Sequence, residues 1–200
     1  MNEEQKNQVS LEDINEETLP EKIPTKFINS RVIVFDPLHA SYLYVKKKFF
    51  GSPLGIAKPR LEYFSKPSEL SIEEAYYLLQ KGKITIFDPE KEKYLTSEEF
   101  FDIAKQIHYK FEEKFIVYQD LREKGYIPRP GLKFGADFVV YRKGPGLEHS
   151  PFIVHVLPHD TKITAIDMVR AGRLATSVRK KFVIANPLTK SYYFFEWFKP

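Results

Sequence analysis

Ser71 and Glu74 stand three residues apart in front of an apolar stripe, Ile72, Ala75, Tyr76 and Leu79, and Gly82 follows it. A serine able to accept from the third amide of a helix, a glutamate able to reach back to the serine's own amide, and a glycine suited to a left-handed cap together predict a helix over 72–81. Lys83 to Phe87 alternates immediately afterwards and reads as a short strand. Thr96 and Glu99 repeat the capping pair ahead of Phe100, Ile103 and Ile107, so a second helix follows, and Phe111 to Lys124 continues helically to Gly125. The chain is thus of mixed α+β or α/β class.

Upstream, Arg31 to Asp36 is a β-branched and aromatic run closed by Asp-Pro, and Ser41 to Val45 reads as a second strand of the same kind. Lys46, Lys47 and Lys48 then lead into Phe49 to Arg60, whose two glycines and two prolines indicate an ordered basic and aromatic loop. Downstream of Gly131, Leu132 to Tyr141 and Phe152 to Leu157 read as strands, Ile166 to Arg179 as a helix, and Phe182 to Ala185 and Ser191 to Phe198 as strands, in an expected order β-β-β-α-β-β. The aromatic ending, Tyr192 to Phe198, predicts a buried or dimer-forming strand. These elements divide the chain into an acidic tail over 1–24, a small mixed α/β domain over 25–108, and a second domain over 109–200 with a central mixed sheet.

Composition narrows the chemistry. With 200 residues, 42% of them hydrophobic and 15% aromatic, there is enough apolar surface for one large or two small cores. No apolar run reaches membrane-spanning length and the N-terminus lacks the start of a signal peptide, so a soluble, cytoplasmic chain is expected. Zero cysteines exclude disulfides, a thiol nucleophile and cysteine-based metal sites. Residues 1–22 hold seven acids against two lysines, so the whole-chain charge of +4 understates the remainder, which carries about +9. Such a surplus favours a polyanion: RNA, DNA or an anionic surface.

Among five histidines, His149 stands out, because it closes a loop rich in glycine, proline and basic residues, Tyr141 to Ser150, in which Arg142 and Lys143 could attract phosphate. His108 and His155 fall within regular elements. Arg170, Arg173, Ser177 and Lys180 are spaced to share one helical face as a basic ridge, with Ile166, Val169 and Val178 left to pack elsewhere. There is no P-loop, dinucleotide-binding glycine motif, HExxH or GxSxG, and Asp137 and Glu148 lack the Glu-x-Lys pairing usual in metal-dependent nucleases. No metal or other cofactor is expected.

Three segments, Gly135 to Tyr141, Glu148 to Val156 and Val169 to Val183, resemble the archaeal tRNA-splicing endonuclease family, and a weaker similarity runs through Arg31 to Phe35 and Leu70 to Ile84. The resemblance implies a family N-terminal domain followed by a restriction-endonuclease-like catalytic domain. It also implies metal-independent cleavage of precursor tRNA at bulge-helix-bulge junctions, leaving 2′,3′-cyclic phosphate and 5′-hydroxyl ends. Carried over by motif, the family's tyrosine, histidine and lysine fall on Tyr141, His149 and Lys180, in the roles of general base, general acid and stabiliser of phosphorane charge. A base of that kind would need nearby cations, Arg142, Lys143 and Lys180, to favour its phenolate.

The same resemblance assigns Arg173 to a cation–π clamp on a bulge nucleotide, with Trp197 or Phe195 as its partner, and makes Lys46, Lys47 and Lys48 candidate RNA contacts. It implies a heterotetramer of catalytic and homologous structural subunits, with a homotetramer as the alternative, and places Leu157 to Asp160 where the family has an acidic inter-subunit loop. A noncatalytic RNA-binding or scaffold subunit is the alternative function, and a metal-dependent nuclease on a related sheet a second.

Overall fold

A computed structural model of the protein describes residues 19–158, 160–177 and 180–195. Most of the expected tail lies outside them, as do Trp197, Val178 and Arg179. The chain divides into two compact units, Met1–Ile107 and His108–Pro200.

The first unit is built on a six-stranded mixed sheet. Strand β1 (Ile23–Ile28) pairs antiparallel with β2 (Arg31–Val34) and parallel with β5 (Ile84–Asp88); β3 (Ser52–Pro53), β4 (Ser68–Leu70) and β6 (Lys93–Tyr94) complete the order β3-β4-β2-β1-β5-β6. Ile23 and Pro24, expected in the tail, therefore already belong to a strand, and Ile23 and Thr25 are buried while the residue between them is exposed. Helix α2 (Ile72–Gln80) makes its capping box in full: Glu74 N donates to Ser71 Oγ at 3.2 Å and Ser71 N donates to Glu74 Oε2 at 2.9 Å. Helix α3 (Ser97–Ile107) repeats it, with Glu99 N donating to Thr96 Oγ1 at 3.2 Å and Thr96 N to Glu99 Oε2 at 3.0 Å.

Ser41 to Val45 is helical, contrary to the strand expected there. Helix α1 (Pro37–Val45) starts from Asp36, whose carboxylate accepts from Leu38 N at 2.7 Å, with Pro37 in the first turn. Ala40 to Tyr44 are all buried, so the helix has no polar face and hence no 3.6-residue stripe to read.

The second unit has a five-stranded sheet in the order β11-β10-β9-β8-β7, formed by β7 (Ile127–Pro130), β8 (Phe138–Tyr141), β9 (Phe152–Val156), β10 (Lys181–Asn186) and β11 (Ser191–Phe195). Helix α4 (Phe111–Glu123) precedes it, and α5 (Ala165–Ser177) carries the chain between the parallel strands β9 and β10. The order β-β-β-α-β-β is observed, but its first strand, Ile127–Pro130, was not among the strands expected. The expected strand from Leu132 is instead a single 3-10 turn, Leu132–Phe134, closing a β7–β8 hairpin. Ala136, Val139, Ile153, Phe182 and Ile184 form a buried core against which Ala171 and Leu174 of α5 pack. Ile166 and Val169, expected to pack, are 64% and 47% exposed. Strand β11 is an edge rather than a buried strand, and exposes Tyr193 and Phe194.

Gly131 sets the hairpin. A Cβ there would lie 2.7 Å from the Ala136 carbonyl oxygen and 2.8 Å from Phe138 N, all of it backbone that has no free direction to move. Gly131→Ala is expected to destabilise the protein by about 2 kcal/mol or more, read as a lower urea midpoint with an unchanged m-value.

Candidate active site

Three strand ends meet at one edge of the second unit's sheet. β8 runs antiparallel to β9 with Val140 opposite Phe152, and β9 runs parallel to β10 with Phe152 opposite Lys181. The C-terminal end of β8 is therefore level with the N-terminal ends of β9 and β10. Tyr141 directly follows Val140 and Lys180 directly precedes Lys181, so both stand at this end of the sheet, beside Pro151. Two hydrogen bonds clamp this edge: Lys181 N donates to the Pro151 carbonyl at 2.9 Å, and Lys180 Nζ donates to the Ser150 carbonyl at 2.7 Å. The side chain of Lys180 thus holds the residue next to His149. Lys180 itself lies beyond the end of α5, so it reaches the site as the residue entering β10 and not as part of a ridge along the helix.

The loop from Arg142 to Ser150 folds over a carboxylate. Glu148 accepts from Arg142 N at 2.5 Å and from Lys143 N at 2.6 Å. Burial alone would raise its carboxyl, but the amides of Lys143, Arg142 and Gly144 hold it below the ordinary carboxylate range. His149 is exposed at the end of this loop and Ser150 is buried beneath it.

Burial pushes the Tyr141 phenol above its ordinary value. The opposing positive charge comes from Arg129, and not from Arg142, Lys143 or Lys180 as the sequence suggested. Ser150, whose buried hydroxyl approaches Tyr141 without a hydrogen bond of good geometry, pulls the same way, and Glu148 pushes the phenol further up. Arg129 pairs with Val139 and Ile127 with Tyr141, so Arg129 and Tyr141 are diagonal neighbours on one face of the β7–β8 ladder. Arg142 is turned instead over the Phe152 ring, 5.1 Å from its centroid. Burial also lowers the Lys180 ammonium, which stands 5.4 Å from the Phe134 ring centroid.

Arg173 is exposed on α5, and the contacts of the described residues tie it to none of Tyr141, His149 and Lys180. Phe195 packs on Phe182 with centroids 6.1 Å apart and on the sheet core. Trp197 lies outside the described residues. Lys46, Lys47 and Lys48 are exposed at the end of α1, in the first unit. Asp137 is engaged structurally: its carboxylate accepts from Val156 N at 2.8 Å and pairs with Lys114 at 3.1 Å and His155 at 3.3 Å. Among the described residues no three His, Asp or Glu side chains gather as metal ligands do. Arg129 and Ser150 were not singled out from sequence, since their proximity to Tyr141 follows only from strand register.

The matching of known families follows this architecture. Residues 111–192 match the profile of the tRNA intron endonuclease catalytic C-terminal domain, and residues 23–101 that of the tRNA intron endonuclease N-terminal domain. The two profiles together define a two-domain nuclease. The chain is 43% identical over 176 residues to a tRNA-splicing endonuclease of Hyperthermus butylicus, covering 85% of this chain and 95% of that protein. It is 39% identical over 177 residues to tRNA-splicing endonucleases of Saccharolobus islandicus and Saccharolobus solfataricus, covering 86% of this chain and 96% of each of those. This protein belongs to the tRNA intron endonuclease family.

Glu148→Ala is expected to lower amide hydrogen-exchange protection at Arg142 and Lys143 by about tenfold at neutral pH. Because the carboxyl is depressed in the folded protein, its contribution is complete above the ordinary carboxylate range and is lost as pH falls through the depressed value. Protection at those two amides in the unaltered protein should therefore fall only on strong acidification.

Proposed function

We propose that this chain is the catalytic subunit of a tRNA-splicing endonuclease, cleaving precursor tRNA at bulge-helix-bulge junctions without a metal ion. The observation that carries this reading is the convergence of Tyr141, the His149–Ser150 segment and Lys180 on one sheet edge, held by the Lys180 Nζ to Ser150 carbonyl hydrogen bond. Similarity to enzymes named tRNA-splicing endonuclease over most of the chain supports the substrate.

In this mechanism Tyr141 takes the proton from a ribose 2′-OH as its oxygen attacks the adjacent phosphorus. The bond from phosphorus to the 5′-oxygen breaks, and His149 as imidazolium gives that oxygen its proton. The products are a 2′,3′-cyclic phosphate and a 5′-hydroxyl. Lys180 offsets the charge that accumulates on the phosphoryl oxygens between the two transfers. Tyr141 bears the tightest constraint, because burial keeps its phenol protonated and only the Arg129 charge and Ser150 favour the phenolate.

The subunit is further proposed to work in a heterotetramer with a homologous structural chain, the homotetramer being the alternative. Strand β11, the edge of the sheet among the described residues, with Tyr193 and Phe194 exposed, offers a ladder for a second subunit. Asp160, also exposed, lies in the segment assigned to inter-subunit contact, while its neighbour His159 is outside the described residues. Arg173, Trp197, Lys46, Lys47 and Lys48 keep their proposed RNA contacts.

His149→Ala and Lys180→Ala are each expected to reduce cleavage of a bulge-helix-bulge transcript by about a hundredfold or more, with RNA binding retained. Cleavage should persist in EDTA and leave cyclic phosphate ends, and the chain alone should be far less active than the chain mixed with a homologous partner. Full activity of either variant would remove that residue from the mechanism, and loss of activity in EDTA would favour a metal-dependent nuclease.

Arg129→Met gives a separate test. The active form carries a proton on the histidine and none on the tyrosine, and tyrosine ordinarily titrates several units above histidine. Raising the Tyr141 pKa then lowers the plateau of the pH–rate profile, by about tenfold per unit, and moves its alkaline break upward. Arg129→Lys should restore most of the plateau, whereas an unmoved break with a uniformly lower rate would mean that Arg129 serves structure alone.

A further inference from the structure

The first unit contains a cleft of about 580 Å³ that the reaction above does not use. Its floor is apolar and aromatic, formed by Ile23, Leu43, Phe50 and Leu78 with Tyr42 and Tyr77. Its rim is cationic: Lys46, Lys47 and Lys48 come from the end of α1, and Lys81 and Lys83 from the turn between α2 and β5. Glu21 is the only carboxylate among the described residues that line it. The two groups of lysines are more than thirty positions apart in sequence, and the packing of α1 and α2 against the same strand, β2, brings them to one opening.

Two of the five ammoniums are held against aromatic faces. Lys47 Nζ stands 5.2 Å from the Tyr42 ring centroid and Lys81 Nζ 5.6 Å from that of Tyr77, which is itself stacked on Phe50 at 6.0 Å and 20°. Cation–π contact of this kind confines a long side chain, so part of the entropy of ordering a lysine around an anion is already spent. A duplex backbone presented to this unit would use only the rim. The apolar floor below the cations suits a ligand whose anionic groups sit outside while a flat, weakly polar group goes in.

We propose that this cleft binds an unpaired nucleotide of single-stranded RNA, with its flanking phosphates on Lys81 and Lys83 and its base against the aromatic floor. The inference rests on the RNA-cleaving function proposed above for the choice of polyanion, and it adds Lys81 and Lys83 to the RNA-binding surface. The cleft has the size of ordinary ligand sites, and stacking with a phosphate-tracking rim is how single strands are generally held.

The test is binding of a fluorescein-labelled oligouridylate to the full-length protein by anisotropy, from 50 to 200 mM salt. Lys81→Ala/Lys83→Ala should weaken binding about tenfold at the low-salt end and reduce the slope of log K against log salt by about 1.4, the loss of two single-strand phosphate contacts. Lys66→Ala, an exposed lysine of the same unit outside the cleft, should leave both unchanged. Equal affinity and slope in the double variant overturn the proposal, as does an equal loss with Lys66→Ala. Carbodiimide coupling of Lys81 or Lys83 to the glutamates of residues 3–17 that persists with saturating oligonucleotide would also overturn it, by giving the cleft to the chain's own acidic segment. The readout needs no cleavage, so a chain that binds through Lys81 and Lys83 but does not cut would refute the proposed function while keeping the site.

Discussion

The parallel pairing of β9 with β10 is the constraint on which the candidate site depends. Tyr141 ends one strand, His149 closes the loop after it, and Lys180 enters another strand some thirty residues later. They become neighbours only because β9 lies between β8 and β10, antiparallel to the first and parallel to the second. The clamp from Lys180 Nζ to the Ser150 carbonyl then joins the loop to the strand end directly. A shift of one residue in the β9–β10 register would turn every side chain of β10 to the opposite face and break that clamp.

Electrostatics at this edge follow from the same packing. Tyr141 sits against the sheet core, so desolvation raises its phenol, and the compensating charge arrives from the β7 side of the ladder through Arg129. Glu148 spends its carboxylate on the amides of Arg142 and Lys143, which orders the loop but places a negative group near the phenol. The loop order and the tyrosine's ionisation therefore oppose one another, and the Arg129 charge offsets only part of the burial that holds the phenol above its ordinary value.

Among its described residues the first unit contributes charge gathered at one opening. Its lysines flank an aromatic cleft, and two of them are fixed by the rings beneath them. The cationic, partly ordered opening belongs to one unit and the candidate active-site edge to the other.

Helices α2 and α3 were legible from sequence because their capping boxes are bonds between residues three apart, and such local chemistry is written in the order of the residues. Tyr141, His149 and Lys180 were singled out by resemblance to a family, through motifs that run along the chain. Helix α1 escaped because Ala40 to Tyr44 are buried without a polar face, so burial erased the periodicity that betrays a helix. Strands β1 and β7 escaped as well; Ile127–Pro130 holds two prolines and an arginine, and its pairing with β8 depends on the tight turn that Gly131 permits. Sequence by itself determined which residues could cap, turn and transfer protons. Tertiary structure alone decided that Arg129 faces Tyr141, that Lys180 holds Ser150, and that Lys81 and Lys83 join Lys46 to Lys48 at one cleft, because strand register and helix packing join residues whose separation along the chain carries no local signal.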